Sequence, residues 1–200
     1  MPKSRIDILR KDEVLHQSFI RWFRVRFDYE RFDGSRTEPI ERYVLDRGES
    51  VGVLLHDVAQ NEIVLVEQMR IAAADFGSPW LLELPAGRVD DGENPMHAAI
   101  RESIEETGAE PHDLELISTF FASPGTSTER LHLYYCPFHE GLHVNAHGGL
   151  ADENEDLRVH RVGLAEASEM IRNGALVDAK TIIGIQWLSS RESRTMLGTQ

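Results

Sequence analysis

Three glutamates, Glu102, Glu105 and Glu106, crowd the segment "RESIEETGAE" together with Arg101. Side chains three and four positions apart on a helix lie on one face, so the three carboxylates can converge on one point. Two carboxylates about 6 Å apart in an effective dielectric of about 20 repel by roughly 3 kcal/mol, a large share of a domain's stability. Arg101, one turn before Glu105, offsets part of that charge. A hard divalent cation bound by oxygen is the natural remainder. The competing reading is a solvated acidic helix face with no ligand.

A helix over residues 95–107 has the right signals to carry this cluster. Asn94 suits the N-cap, Pro95 the first helical position and Gly108 the residue just past the end. Met96, Ala99, Ile100, Ser103, Ile104 and Thr107 follow the i, i+3, i+4, i+7 rule and are expected to face the core. Arg101, Glu102, Glu105 and Glu106 are then expected on the opposite face.

Upstream, "FIRWFRVRFDYE" alternates Phe23, Val25, Phe27 and Tyr29 with Arg24, Arg26 and Asp28, the period of a half-buried strand. "RFDGSR" supplies an Asp-Gly turn and "IERYVL" a returning strand. This N-terminal β subdomain, residues 1–47, is too small to be stable alone and must pack on its own chain or on a second subunit. Residues 48–200 read differently. "SVGVLLH" and "EIVLVEQ" are buried strands and "LELISTFFA" and "RLHLYYCPF" further strands, while "LAEASEMIRNG" and "DAKTIIGIQWLSS" have helical spacing. The pattern predicts an α/β (α+β) fold: a mixed sheet covered by helices, plus the small N-terminal antiparallel sheet.

Bulk properties narrow the function classes. The 200 residues fit one globular domain with a small extra subdomain. A net charge of -13 argues against a nucleic-acid duplex or an anionic membrane as the main partner, since both need a basic footprint. No apolar run is long enough to span a bilayer, and the first 17 residues do not resemble a signal peptide, so a cytoplasmic location is expected. Cys136 is the only cysteine, which excludes intramolecular disulfides and thiolate zinc clusters and reads as a buried strand thiol. His139, His143 and His147 recur every four residues, but Gly141, Gly148 and Gly149 favour a loop with incidental histidines. Trp22, Trp80 and Trp187 are expected in the core or an interface.

The surroundings of the cluster decide against the solvated face. Gly87, five residues, Glu93, seven residues and "RESIEETGA" match the Nudix box at every charged and glycine position. Ser103 stands where a bulky aliphatic residue is usual and Ala109 is small; a buried serine can bond back to a carbonyl one turn earlier, so this is a packing variation. The chain therefore resembles the Nudix hydrolases, whose fold is an α/β/α sandwich. The resemblance implies that Glu102, Glu105 and Glu106 bind magnesium, or manganese, with the carbonyl of Ala86, while Gly87, Glu93 and Arg101 brace the loop and helix.

Pro124, "VEQMRIAAADFGSPWLLELPAG", "GGLADENEDLRVH" and "IIGIQWL" extend the resemblance to the ADP-ribose pyrophosphatases of that family. "ADENEDLRV" has an EF-hand's early spacing at Asp152, Asn154 and Asp156, but Leu157 and Gly163 occupy the positions of the required Gly and Glu. The resemblance instead makes it a mobile loop supplying a catalytic base, Glu153, with Glu155 joining the metal shell beside Glu105. The implied reaction is hydrolysis of ADP-ribose to AMP and ribose 5-phosphate. The implied substrate contacts are Arg70 and Arg42 to phosphate or adenine, Glu129 to a ribose hydroxyl and Phe19 stacking on adenine. Each has an ordinary surface or core alternative. The subfamily also implies a homodimer that exchanges its N-terminal sheets. Two other functions remain open: hydrolysis of another sugar nucleotide such as GDP-mannose, and a non-catalytic module that binds metal or nucleotide.

Overall fold

The computed structural model describes residues 6–17, 20–139, 141–150 and 155–197, arranged in two compact units. One unit comprises Met1–Glu49 and Phe121–Arg130; the other comprises Ser50–Phe120 and Leu131–Gln200.

The first unit is built on a three-stranded antiparallel sheet of β1 (Ile6–Gln17), β2 (Ile20–Tyr29) and β3 (Ile40–Asp46), in that order. β2 and β3 are the expected pair, with Phe23 opposite Val44 and Phe27 opposite Ile40. The Asp33-Gly34 turn lies between them, and Gly34 takes a φ of 83°. β1 is an additional strand. Its pairing with β2 shifts register between Ile8 and Arg10 and again between Glu13 and Leu15, which breaks the two-residue period that reveals a strand. The segment 121–130 adds to this unit along β3: Leu45 N–H donates to the Thr126 carbonyl (2.8 Å) and Thr128 N–H to the Leu45 carbonyl (2.9 Å). None of the described residues of this unit is buried.

The second unit carries the eight-stranded sheet, which is mixed. β4 (Glu49–Asp57) and β5 (Glu62–Met69) are joined as a hairpin at their turn, where His56 faces Ile63 and Asp57 faces Glu62. Asp57 Oδ1 caps that turn by accepting from Ala59 N and Gln60 N, both at 3.1 Å. Beyond the turn, the far end of β5 pairs with β6 (Trp80–Glu83), and the start of β4 pairs with β7 (Ala86–Arg88). A short 3₁₀ segment, Ile71–Phe76, separates β5 from β6. The sheet is completed by β8 (Glu115–Phe121), β9 (Arg130–Phe138), β10 (His147–Gly148) and β11 (Leu157–Gly163), in the order β10-β11-β5-β4-β9-β8.

Alternation along β4 divides the core into two layers. Val51, Val53 and Leu55 pack with Ala98 and Ala99 of α1 (Pro95–Thr107) on one face. Leu54 packs with Ala167 of α2 (Leu164–Arg172) and with Ile185 and Leu188 of α3 (Ala179–Leu197) on the other. Apolar residues buried on both faces explain why β4 and β5 read as continuous hydrophobic runs. The helices expected at α1, α2 and α3 are all present. No helix among the described residues is long and apolar enough to cross a membrane.

Candidate active site

α1 starts and stops as its end signals predict. Asn94 Oδ1 accepts from Met96 N (2.8 Å), Pro95 opens the helix, and Gly108 closes it at φ 74° with its N–H on the Ile104 carbonyl (2.9 Å). The buried face matches the expected one at Ala99, Ser103 and Thr107 and differs elsewhere. Ala98, Ala99, Ser103, Glu106 and Thr107 are buried, whereas Met96 and Ile104 are each 43% exposed. Small side chains let the helix axis come close to the sheet, and the larger aliphatic residues are displaced to the rim. Ser103 Oγ donates to the Ala99 carbonyl one turn earlier (2.8 Å), which satisfies the buried hydroxyl as expected.

That close approach turns two of the glutamates inward. Gly87 lies against Glu102, with no room for a Cβ between them. Glu106 is 3% exposed, and its Oε2 accepts from Ala86 N at 2.9 Å. Glu106 therefore belongs to the buried face, not to the outer one. Arg101 ties the rest together. Its Nε and Nη2 hold Glu93 (3.1 and 3.0 Å), its Nη1 reaches Glu102 Oε1 (2.8 Å) and Glu105 Oε2 (3.1 Å), and Nη2 also donates to the Arg88 carbonyl (2.9 Å). Glu93 in turn accepts from Asp90 N (3.0 Å), closing the loop that leads into α1.

The electrostatics show an excess of negative charge. Burial pushes the Glu106 carboxyl up to about 8, and the neighbouring charges of Glu102 and Glu155 add to the rise. Burial likewise brings Glu102 up to about 7, with Arg101 opposing and Glu105 and Glu155 adding. The hydrogen bond from Arg101 holds Glu93 below its usual range, and Glu93 is the main cause of a raised Arg101.

A strap covers the C-terminal end of α1. Asn145 N–H donates to the Thr107 carbonyl (2.8 Å) and Gly149 N–H to the Glu105 carbonyl (3.0 Å), so two otherwise open helix carbonyls are satisfied. A Cβ on Gly148 would stand 1.8 Å from the Glu106 carbonyl oxygen, so only glycine fits there. Glu155 bonds to Leu150: its N–H donates to the Leu150 carbonyl (3.2 Å), and its Oε2 accepts from Leu150 N at 3.4 Å.

The model of the NUDIX domain matches residues 46–182. The chain is a member of the Nudix family. It is 36% identical over 187 residues to an ADP-ribose pyrophosphatase of Escherichia coli K12, covering 93% of this chain and 88% of that one. It is 34% identical over 185 residues to a GDP-mannose pyrophosphatase of Cronobacter sakazakii, covering 92% and 95%. Among solved structures, one described as an ADP compounds hydrolase superposes with a TM-score of 0.70 at 21% identity, covering 96% of each chain, which is a likeness of fold. Family and relatives mark this Nudix chain as a hydrolase of pyrophosphate bonds.

Nudix hydrolases generally need a divalent metal, and the donors here fit one. Glu102, Glu105, Glu106 and Glu155 offer only oxygen, and burial disfavours charge on two of them unless a cation shares the site. Among the described residues, no three His, Cys, Asp or Glu side chains converge as a metal-binding trio. Glu102 and Glu105 are turned toward Arg101, and Glu106 toward Ala86 N–H.

The remaining candidates fall elsewhere in the Nudix chain. Arg70 sits at the end of β5, with Nε and Nη2 on the Glu83 carboxylate (2.9 and 3.0 Å). In the first unit, Arg42 of β3 is exposed and donates to the Glu41 carbonyl (2.8 Å), and Glu129 lies 3.7 Å from Arg47. Phe19 and Glu153 lie outside the described residues. Cys136 is a buried strand thiol, pushed up to about 11 by burial and donating to the His112 carbonyl. Trp187 packs in the core and Trp80 is 47% exposed. Glu83, Lys180 and Asn145 were not among the expected site residues, and Gly148 was expected only as part of a loop. Only the Gly-Gly pair carried a local signal, a backbone needing close approach.

Proposed function

We propose that this chain hydrolyses the pyrophosphate bond of ADP-ribose, giving AMP and ribose 5-phosphate, with magnesium or manganese at the carboxylate cluster. The observation that carries the reading is the seating of Glu102 on Gly87 and of Glu106 on Ala86 N–H, which sets the acidic groups of a complete Nudix box on one rigid support. Ala86, Glu102, Glu105, Glu106 and Glu155 would hold the metal. When bound, it neutralises the pyrophosphate and makes a water more acidic. Glu93 and Arg101 keep the loop and helix in register, and Gly87 leaves space for Glu102.

Glu153 takes the proton of the attacking water as the new phosphorus–oxygen bond forms and the bridging oxygen leaves with its phosphate. The anchoring of Gly149 on the Glu105 carbonyl supports a loop base held beside the acidic helix. Arg70 binds a phosphate oxygen through its guanidinium. Arg42 and Phe19 receive the adenine, and Glu129 a ribose hydroxyl. The first unit's exposed apolar side chains, among them Ile6 (61%), Ile8 (64%) and Leu15 (51%), support a homodimer in which the N-terminal sheets are exchanged.

The relative named GDP-mannose pyrophosphatase supports a second reading, a different sugar nucleotide at the same cluster. Incubation with magnesium and ADP-ribose, GDP-mannose, NADH or diadenosine polyphosphates, with products resolved by chromatography, separates the readings. ADP-ribose is expected to be turned over best. Preference for GDP-mannose would replace it, and no turnover of any compound would leave a binding module.

A further inference from the structure

Glu83 and Lys180 are an ion pair inside the second unit that the carboxylate cluster does not require. The Glu83 side chain is 4% exposed and that of Lys180 10%, with Nζ 2.5 Å from Glu83 Oε2. Burying two such charges costs several kcal/mol of desolvation for each ion, and an apolar pair of similar volume often serves stability as well. Their geometry points to another role. Glu83 lies opposite Val66 on β5, on the pleat face that Gln68 and Arg70 share by alternation, and its two oxygens meet Arg70 Nε and Nη2 as a fork. The Arg70 backbone is fixed as well, its N–H donating to the Pro79 carbonyl at 2.7 Å.

Arg70 is the solvent end of this chain of charges, at 40% exposure. Among the described residues its Nη1 has no partner, so one edge of the guanidinium is open to a ligand. Its charge acts on Glu106 in the acidic cluster. Lys180 meets Glu83 Oε2, the same oxygen that accepts from Arg70 Nη2, and so fixes the carboxylate that orients the arginine. Lys180 is held in turn by Asp178 Oδ1 (3.1 Å), while Asp178 Oδ2 accepts from Thr181 N and Oγ1 (3.0 and 2.6 Å) at the start of α3. Thr181 Oγ1 accepts from Leu84 N at 2.8 Å, which ties α3 to the residue after Glu83.

We propose that Glu83 and Lys180 are positioning residues that hold Arg70 with one guanidinium edge presented to a phosphoryl group of a nucleoside diphosphate. The proposal rests on the phosphate-binding reading of Arg70 given above. Glu83 sets the orientation of the fork, and Lys180 fixes Glu83.

A double-mutant cycle tests this, with ADP plus magnesium as the calorimetric probe and ADP-ribose for kcat and KM. The variants are Glu83→Gln/Lys180→Met, which removes both buried charges together and leaves the net charge unchanged, Arg70→Ala, and the triple variant. The Glu83→Gln/Lys180→Met variant is expected to weaken ADP about tenfold and to raise KM more than it lowers kcat. In the Arg70→Ala background the same change is expected to have almost no effect on ADP, because the group it positions is gone. Equal weakening in both backgrounds, or unchanged ADP affinity in the folded Glu83→Gln/Lys180→Met variant, overturns the proposal. If that variant fails to fold, Glu83→Asp carries the same cycle with the same two outcomes. Absence of ADP-ribose turnover by the unaltered chain, with ADP binding still following the cycle, sinks the proposed activity and leaves the positioning assignment standing.

Discussion

A Cβ at Gly87 would stand 2.0 Å from Cδ of Glu102 and 2.1 and 2.2 Å from its two oxygens. The glycine is thus a space left for a carboxylate. Its backbone does not take a positive φ, so the requirement comes from contact and not from conformation.

Gly87→Ala therefore displaces the Glu102 carboxylate with little other disturbance. The expected result is an apparent magnesium affinity about tenfold weaker, read from the metal dependence of turnover. Unchanged metal dependence would remove Glu102 from the metal shell.

Gly148→Ala places a methyl group on the Glu106 carbonyl oxygen, and the strap must lift. The bonds from Asn145 and Gly149 to the end of α1 are then strained or lost. Overpacking of this kind costs about 1–3 kcal/mol, and thermal denaturation is expected to show that loss together with reduced turnover. A fully stable, fully active variant would mean that the strap does not position the loop that follows it.

Glu153→Gln is expected to lower kcat by about 10²–10⁴-fold while magnesium still raises the melting temperature, because a general base acts on the proton and not on the metal. Near-normal kcat would take the base role from Glu153.

Acid stability reports on Glu83. Burial alone would push its carboxyl up, but the hydrogen bond from Arg70 and the charge of Lys180 outweigh burial and hold it at about 2, below its ordinary value of 4.5. A depressed carboxyl contributes stability that is fully present above its unfolded value and is lost as the pH falls toward 2, here roughly 3 kcal/mol. Urea denaturation between pH 5 and pH 2.5 is expected to show a steeper loss for the unaltered chain than for Glu83→Gln/Lys180→Met. Parallel losses would show that the ion pair does not govern this window.

The Nudix box was legible because it is local. Gly87, Glu93, Arg101 and the glutamates lie within residues 87–109, and cap signals together with helical spacing bring them to one helix and the loop before it. The buried strands β4, β5 and β9 were equally plain from their apolar runs, which double-sided burial demands. β1 was not, because its two register shifts erase the two-residue period.

Tertiary packing decided the rest. Helical spacing placed Ala99, Ser103 and Thr107 on the buried face correctly, but the sheet also accepts Ala98 in place of Met96 and Ile104, since small side chains allow closer approach, and that choice turns Glu106 inward. Glu83 with Lys180, and Gly148 with Glu106, meet only once the sheet and helices are assembled. The spacing of charged residues determined that a carboxylate cluster would form. Which carboxylates are buried, what each one rests on and how Arg70 is held depend on contacts between residues far apart in the chain, where no local period exists.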